Sequence, residues 1–193
     1  MRVIAGEYRG RPLKALKGDA TRPTTDRVKE ALMSKVFSTQ GSLEDCCVLD
    51  AFAGTGALGI EALSRGASFV IFCDKSSEAN MIISENLRAV KAESSRYQLL
   101  KMDSLSLSSS VIKKQIDLVF FDPPYAVSPR EVMAIAKGYF EKGILKEDAL
   151  LCYELAKTSK PELVQAINAL EWAIVSSKDY GETSIALIRK DAQ

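Results

Sequence analysis

The sequence predicts an α/β domain built on a seven-stranded, mostly parallel sheet with an antiparallel last strand and helices on both faces. The first observation is a series of short apolar, β-branched runs: CCVLDAF (46–52), ASFVIFCD (67–74), YQLLKM (97–102), IDLVFFD (116–122), DALLCYEL (148–155), WAIVSS (172–177) and TSIALIRK (183–190). They are continuous instead of alternating, as strands covered on both faces are. The second is that helical stretches lie between them, so right-handed crossovers wind the chain into successive βαβ units. The third is KDYGE (178–182), a turn too short for a crossover, which makes the last two strands antiparallel neighbours.

The helices follow from their ends. Residues 57–66 (ALGIEALSRG) stop at Gly66, 76–91 (SSEANMIISENLRAVK) start on an N-cap serine with Glu78 in the first turn, and 129–142 open with Pro129. The serine-rich patch SLSLSSS (104–110) reads as a solvated helix start or loop.

Ahead of the sheet, residues 1–40 form a basic extension packed on the domain of residues 41–193. VIAGEYRGRPLKAL predicts a hairpin turning near Gly6 or Gly10. Thr24 or Thr25 then caps a helix over 25–38, with Val28, Leu32 and Val36 on its apolar face and Arg27, Lys29 and Lys35 on the other. The extension holds nine Lys and Arg against four Asp and Glu; the whole chain has 26 against 25, which leaves 17 against 21 elsewhere. A basic arm on a mildly acidic body is the pattern of a polyanion-binding segment, and also of an ordinary solvated surface.

Composition narrows the chemistry. A chain of 193 residues, 47% of them hydrophobic, is long enough for one sizeable core and is neither disordered nor fibrous. It contains no His, which excludes Ser-His-Asp and Cys-His nucleophiles, His-ligated zinc and imidazole acid–base catalysis. Cys46, Cys47, Cys73 and Cys152 form no C-x-x-C pair and suit buried packing in a reduced, cytoplasmic setting. As strand neighbours, Cys46 and Cys47 should face opposite sides. No apolar stretch has the length of a signal peptide or a membrane span, and no metal site is expected.

The first strand runs into Ala53-Gly54-Thr55-Gly56-Ala57-Leu58-Gly59, a G-x-G-x-x-G spacing at a strand-to-helix junction. Glycines there let a ligand approach the backbone and allow turn conformations that a β-carbon disfavours. Either a nicotinamide dinucleotide or S-adenosylmethionine suits such a loop, and Asp74, at the end of the next strand, could accept ribose hydroxyls of either. Asp50 favours the second ligand. A carboxylate ahead of the loop repels a pyrophosphate but can bond an ammonium, directly or through water. Asp103 and Ser104, at the end of the third strand, are placed to meet an adenine amine; Asp103 capping the following helix explains it equally well.

The fourth strand ends in Asp122-Pro123-Pro124-Tyr125. Consecutive prolines have fixed φ and no N–H, so they hold carbonyl acceptors in a rigid line without competing donors. The Asp122 carboxylate and a neighbouring carbonyl can each accept one N–H of a planar exocyclic amine, aligning its nitrogen with a methyl donor. Tyr125 offers a face for base stacking, worth about 1–3 kcal/mol.

With D-x-F-A-G-T-G after the first strand and DPPY after the fourth, the chain resembles the amino-methyltransferases that modify exocyclic nitrogens of bases. Arg2-Val3-Ile4-Ala5-Gly6, Arg9-Gly10-Arg11, Arg22-Pro23-Thr24 and Asp26-Arg27-Val28-Lys29-Glu30, followed by LDAFAGTGALGIEALSRGA, are similar over nearly the whole chain to the RsmD-type small-subunit ribosomal RNA (guanine-N2)-methyltransferases. The resemblance implies a Rossmann-like class I methyltransferase fold, S-adenosylmethionine as donor and N2 of a guanine as target. It places Asp50, Ala51, Phe52, Gly54, Thr55, Gly56, Asp74, Lys75, Asp103 and Ser104 at the cofactor, and Asp122, Pro123, Pro124 and Tyr125 in the catalytic loop. Arg9, Arg11, Lys14, Arg22 and Arg27 would contact RNA, free or in the assembled particle, with the protein a cytoplasmic monomer. One departure is Ser76, where family members often carry a second acid; ribose binding then falls on Asp74. The rival readings are adenine-N6 methylation of DNA, a NAD-dependent oxidoreductase and a non-catalytic RNA-binding factor on the same fold.

Overall fold

The computed structural model describes residues 1–16, 26–112 and 114–190. Its elements are α1 (Asp26–Gln40), β1 (Cys47–Asp50), α2 (Ala57–Ser64), β2 (Phe69–Cys73), α3 (Ser77–Ala89), β3 (Tyr97–Leu100), β4 (Ile116–Phe121), α4 (Pro129–Glu141), β5 (Leu145–Ala156), α5 (Lys160–Asn168), β6 (Trp172–Tyr180) and β7 (Thr183–Lys190). The seven strands make one sheet of order β3-β2-β1-β4-β5-β7-β6. Only β7 is reversed, pairing antiparallel with β5 and with β6. After β1 the chain winds outward to β2 and β3, then returns to lay β4 on the other side of β1. The carboxyl ends of β1 and β4 therefore border the switch-point crevice where ligands of open α/β sheets bind.

Two details differ from expectation. The turn between the last strands is tighter than KDYGE: Lys178, Asp179 and Tyr180 all pair with β7, leaving only Gly181 and Glu182 to reverse the chain, with Gly181 at φ +63°. Helix α5 was not marked by its sequence, because it is short and buries only Leu163 and Ile167. No helix among the described residues is long and apolar enough to cross a membrane.

Period-two alternation sorts the sheet residues into two cores. Val48, Val70, Phe72, Phe120, Cys152 and Leu187 face one side, under α2 and the N-terminal segment. Leu49, Ile71, Val119, Leu151 and Ile188 face the other, under α4 and α5. Cys46 and Cys47 fall on opposite sides as expected, and all four cysteines are buried thiols. Val3, Tyr8 and Leu13 of the arm, with Leu32, Met33 and Val36 of α1, belong to the first core.

The arm is a hairpin turning through both candidate glycines, Gly6 at φ +84° and Gly10 at +81°. Val3 N–H donates to Arg11 O (3.0 Å) and Gly10 N–H to Val3 O (2.9 Å). Gly6 has a second reason to be glycine: a Cβ there would lie 1.8 Å from Ser64 O, to which Glu7 N–H donates at 2.7 Å. Beside this contact Glu61, fully buried on α2, accepts from Ile4 N–H (2.9 Å), Ala5 N–H (3.0 Å) and Arg65 Nε (2.8 Å), and pairs with Lys29 Nζ at 3.4 Å. Lys29 departs from the surface position its sequence suggests. Expected on the solvated face of α1, it is fully buried, one turn from Leu32 and Met33, with Nζ also donating to Arg2 O. Burial lowers its pKa, opposed by Glu61. The Thr24 or Thr25 cap lies outside the described residues.

Removing one member of a buried pair strands the other charge, so Glu61→Ala should lose about 3–5 kcal/mol in urea unfolding, whereas replacing Lys29 by Met and Glu61 by Leu together should recover most of it. A loss below about 1 kcal/mol for Glu61→Ala would show that the pair does not hold the arm.

Candidate active site

The three loop glycines do three different things. Gly54, at φ +53°, faces open space: a Cβ would meet nothing nearer than Phe52 O at 4.0 Å. Gly56, at φ +76°, caps the start of α2, and its Cβ would press on Ile83 and Phe72 at 3.2 and 3.3 Å. Gly59 is a packing residue, since a Cβ would sit 2.3 Å from the Phe72 ring. The first leaves room for a ligand, the second turns the chain into α2 close under Ile83 of α3, and the third seats α2 against β2.

The loop is held from behind by side chains. Asp50 Oδ2 accepts Gly59 N–H at 2.9 Å. Asp74 Oδ2 accepts Gly54 N–H at 2.9 Å while its Oδ1 accepts Ser76 N–H at 2.8 Å. Asn86, fully buried on α3, donates to Thr55 O (2.9 Å) and Lys14 O (3.1 Å), tying the loop to the arm. Asp50 is 1% exposed, so it lies beneath the loop and not on its open side. Burial pushes its carboxyl up to about 7; the Gly59 N–H opposes the shift, and Asp122 and Asp74 add to it.

At the end of β3, Asp103 Oδ1 accepts Leu105 N–H at 3.0 Å, capping the 3₁₀ turn Ser104–Ser106, while its Oδ2 lies 4.0 Å from the exposed Lys75 Nζ. Ser104 turns inward, buried, with its hydroxyl donating to Ala51 O and its carbonyl accepting from Tyr139 OH at 2.8 Å. The start of the serine patch is therefore a buried brace behind the crevice and not a solvated one. Phe52 leans on Phe121, whose ring stacks on Tyr139, which extends the same wall.

Asp122 and Pro123, just beyond β4, are half-buried; Pro124 is exposed, and Tyr125 is 70% exposed. Val127 N–H donates to Pro124 O (2.9 Å), closing a turn that passes into α4 through the Ser128–Glu131 capping box. Asp103, Asp74, Asp50 and Asp122 thus stand at the carboxyl ends of four adjacent strands, β3, β2, β1 and β4. A row of carboxylates with an open glycine loop suits a cationic ligand such as S-adenosylmethionine and disfavours a pyrophosphate. Among the described residues no His, Cys, Asp and Glu group could hold a metal ion.

The basic residues are divided. Arg9 and Arg27 are exposed, whereas Arg11 Nη1 donates to Ala89 O (3.3 Å) and Lys14 Nζ pairs with Glu85 (2.9 Å), so both also anchor the arm on α3. Arg22 lies outside the described residues. Sequence reasoning missed Asn86, Phe72 and Tyr139. Only Asn86 left a signal, as an amide at helical spacing among Ile83, Leu87 and Val90.

A seven-stranded sheet with one reversed strand, and a glycine loop and DPPY loop flanking its switch point, defines a class I S-adenosylmethionine-dependent methyltransferase. The chain belongs to the family described as Conserved hypothetical protein 95, whose model matches residues 1–189, and the RsmD resemblance is borne out by its relatives. It is 35% identical to ribosomal RNA small subunit methyltransferase D of Haemophilus influenzae over 188 residues, covering 97% of this chain and 92% of the relative. The Escherichia coli K12 protein of that name is 30% identical over 194 residues, covering 100% and 91%. A solved Escherichia coli chain, provisionally named methyltransferase yhhF, superimposes with a TM-score of 0.75 at 27% identity, covering 100% of this chain and 99% of the other.

The raised Asp50 pKa fixes the sign of a pH effect. A carboxyl that titrates near 7 when folded and near 3.8 when unfolded makes the folded state hold the extra proton between those values, so its burial destabilises increasingly as pH rises through that window. Relative to wild type, Asp50→Asn should gain about 3 kcal/mol of unfolding free energy between pH 5 and pH 8. Parallel stability curves would place the Asp50 carboxyl at an ordinary pKa.

Proposed function

We propose that this chain transfers the methyl group of S-adenosylmethionine to the exocyclic N2 of a guanine in small-subunit ribosomal RNA, acting as a cytoplasmic monomer. What supports the reading is that the open glycine loop follows β1 and the DPPY segment follows β4, its neighbour in the sheet, in a chain whose relatives are named for small-subunit rRNA methylation. When bound, S-adenosylmethionine supplies an electrophilic methyl on a sulfonium.

On this reading Gly54, Thr55 and Gly56 let the donor approach the backbone, Ala51 and Phe52 line its floor, Asp74 takes the ribose hydroxyls, and Asp103 with Lys75 borders the adenine. Asp50 acts through the loop it bonds at Gly59, and Ser104 through the wall it braces. Guanine's amine is a poor nucleophile because its lone pair is delocalised into the ring, so catalysis rests on alignment, which can supply about 7–11 kcal/mol. Asp122 and the Pro123 carbonyl accept the amine's N–H bonds, Pro124 keeps that carbonyl rigid, and Tyr125 stacks on the base. Those bonds strengthen as the nitrogen becomes cationic, so they act on the transition state more than on the ground state.

A base must leave its stack to enter, at a cost of a few kcal/mol. Phosphate contacts from Arg9, Arg11, Lys14, Arg22 and Arg27 offset it. The oxidoreductase reading founders on the row of carboxylates, and family membership speaks against DNA adenine methylation.

Asp122→Ala should lower methyl incorporation into unmodified small-subunit rRNA by orders of magnitude while S-adenosylmethionine affinity, read by calorimetry, stays within about twofold. Nucleoside mass spectrometry of the wild-type product should show N2-methylguanosine; N6-methyladenosine in its place would overturn the reading. Arg9→Ala and Arg27→Ala should each reduce the salt dependence of RNA binding by about one unit of log–log slope. Slopes equal to wild type would remove the arm from the RNA interface.

A further inference from the structure

Strands β4 and β5 run parallel and in register through Phe121 and Tyr153, so Asp122 and Glu154 follow as the next neighbours. Both belong to the same face. Phe120 and Cys152, two residues earlier on each strand, lie in the core under α2 and the arm, and period-two alternation carries Asp122 and Glu154 to that side. Electrostatics agree, because after burial itself the charges that push the Cys152 thiol up are Glu154 and then Asp122. Adjacent strands are about 4.8 Å apart, a spacing at which two carboxylates can converge on one base edge. Glu154 is half-buried and its Oε2 is closed to solvent, so contact with a ligand falls to Oε1. A carboxylate has about four lone-pair sites, so a further bond is compatible with the contacts Glu154 makes inside the protein.

We propose that Glu154 Oε1 accepts the ring N1–H of the target guanine while Asp122 holds the neighbouring amine, so that the two strand-end carboxylates together choose the base. This rests on the guanine-N2 reading above. Of the three bases with an exocyclic amine, only guanine carries a ring N–H beside it. Adenine and cytosine place a lone pair there, which a carboxylate repels. A site built to bond a donor rejects the analogue that lacks it far more strongly than an apolar pocket rejects a misfit. Residue 154 thus determines specificity, whereas the DPPY segment serves any amine.

The test uses the full chain. The methylated position in unmodified small-subunit rRNA is located by nucleoside mass spectrometry, and a synthetic RNA then carries either guanine or 2-aminopurine there; 2-aminopurine keeps the amine and lacks the N1–H. Wild type should prefer guanine in kcat/KM by about 10- to 100-fold, the range for a bond to a charged group. In Glu154→Ala the guanine rate should fall toward that of 2-aminopurine, whose own rate should hold or rise as the repelling carboxylate is removed, and calorimetric S-adenosylmethionine affinity should be unchanged. Glu154→Gln, which retains an amide oxygen, should recover part of the preference; Asp122→Ala should lose both substrates alike. If Glu154→Ala does not fold, the ratio is read on Glu154→Gln, where a partial fall supports the proposal and an unchanged ratio overturns it. Wild type that makes no N2-methylguanosine would sink the guanine reading itself. Wild type that makes it, with a preference indifferent to residue 154, would sink this inference alone.

Discussion

A carboxylate cut off from water must find its donors within the protein, and Glu61 meets that demand with two backbone N–H groups of the arm, Lys29 of α1 and Arg65 at the carboxyl-terminal cap of its own helix. An ionised side chain without such partners would be prohibitively expensive in this interior. Satisfying it therefore dictates where residues 1–16 and α1 lie. Because Glu61 belongs to the helix that begins at the glycine loop, the same cluster fixes the N-terminal segment against the catalytic domain. The basic extension anticipated from charge counting is thus one wall of a shared core, with Val3, Tyr8 and Leu13 in the same cluster as Phe72 and Phe120.

From that helix the constraint passes to the site. Gly59 lies against the Phe72 ring, Asp50 bonds its N–H, and Asp74 reaches from the next strand to Gly54, so the loop is set by contacts on its protein side and left open on the other. The parallel sheet brings Asp103, Asp74, Asp50 and Asp122 to one edge because each terminates or follows a strand running the same way. A crevice edged by these side chains suits the proposed methyl transfer from a sulfonium to a base nitrogen, which needs a bound cation and an oriented amine.

Much of this was legible in the sequence. The strands were marked by continuous apolar runs, Ser76 and Pro129 marked the starts of α3 and α4, and the glycine and DPPY motifs marked the crevice. What escaped depends on neighbours distant in the chain. Lys29 looks like a surface lysine until Glu61 lies opposite it. Ser104 looks solvated until Tyr139 and Ala51 close over it. Nothing local in the sequence announces the bond that Asp50 makes to Gly59 N–H of the helix that follows. The proximity of Glu154 to Asp122 depends on strand register, which no local pattern encodes.

In the proposed mechanism the donor and the DPPY segment share one crevice at the carboxyl ends of β1 and β4. A crystal structure of the protein with S-adenosylhomocysteine measures this most directly. The ligand should lie across Gly54–Gly56, with its ribose at Asp74 and its sulfur turned toward Asp122. A ligand bound at the opposite edge of the sheet, or a DPPY segment directed away from the sulfur, would contradict it.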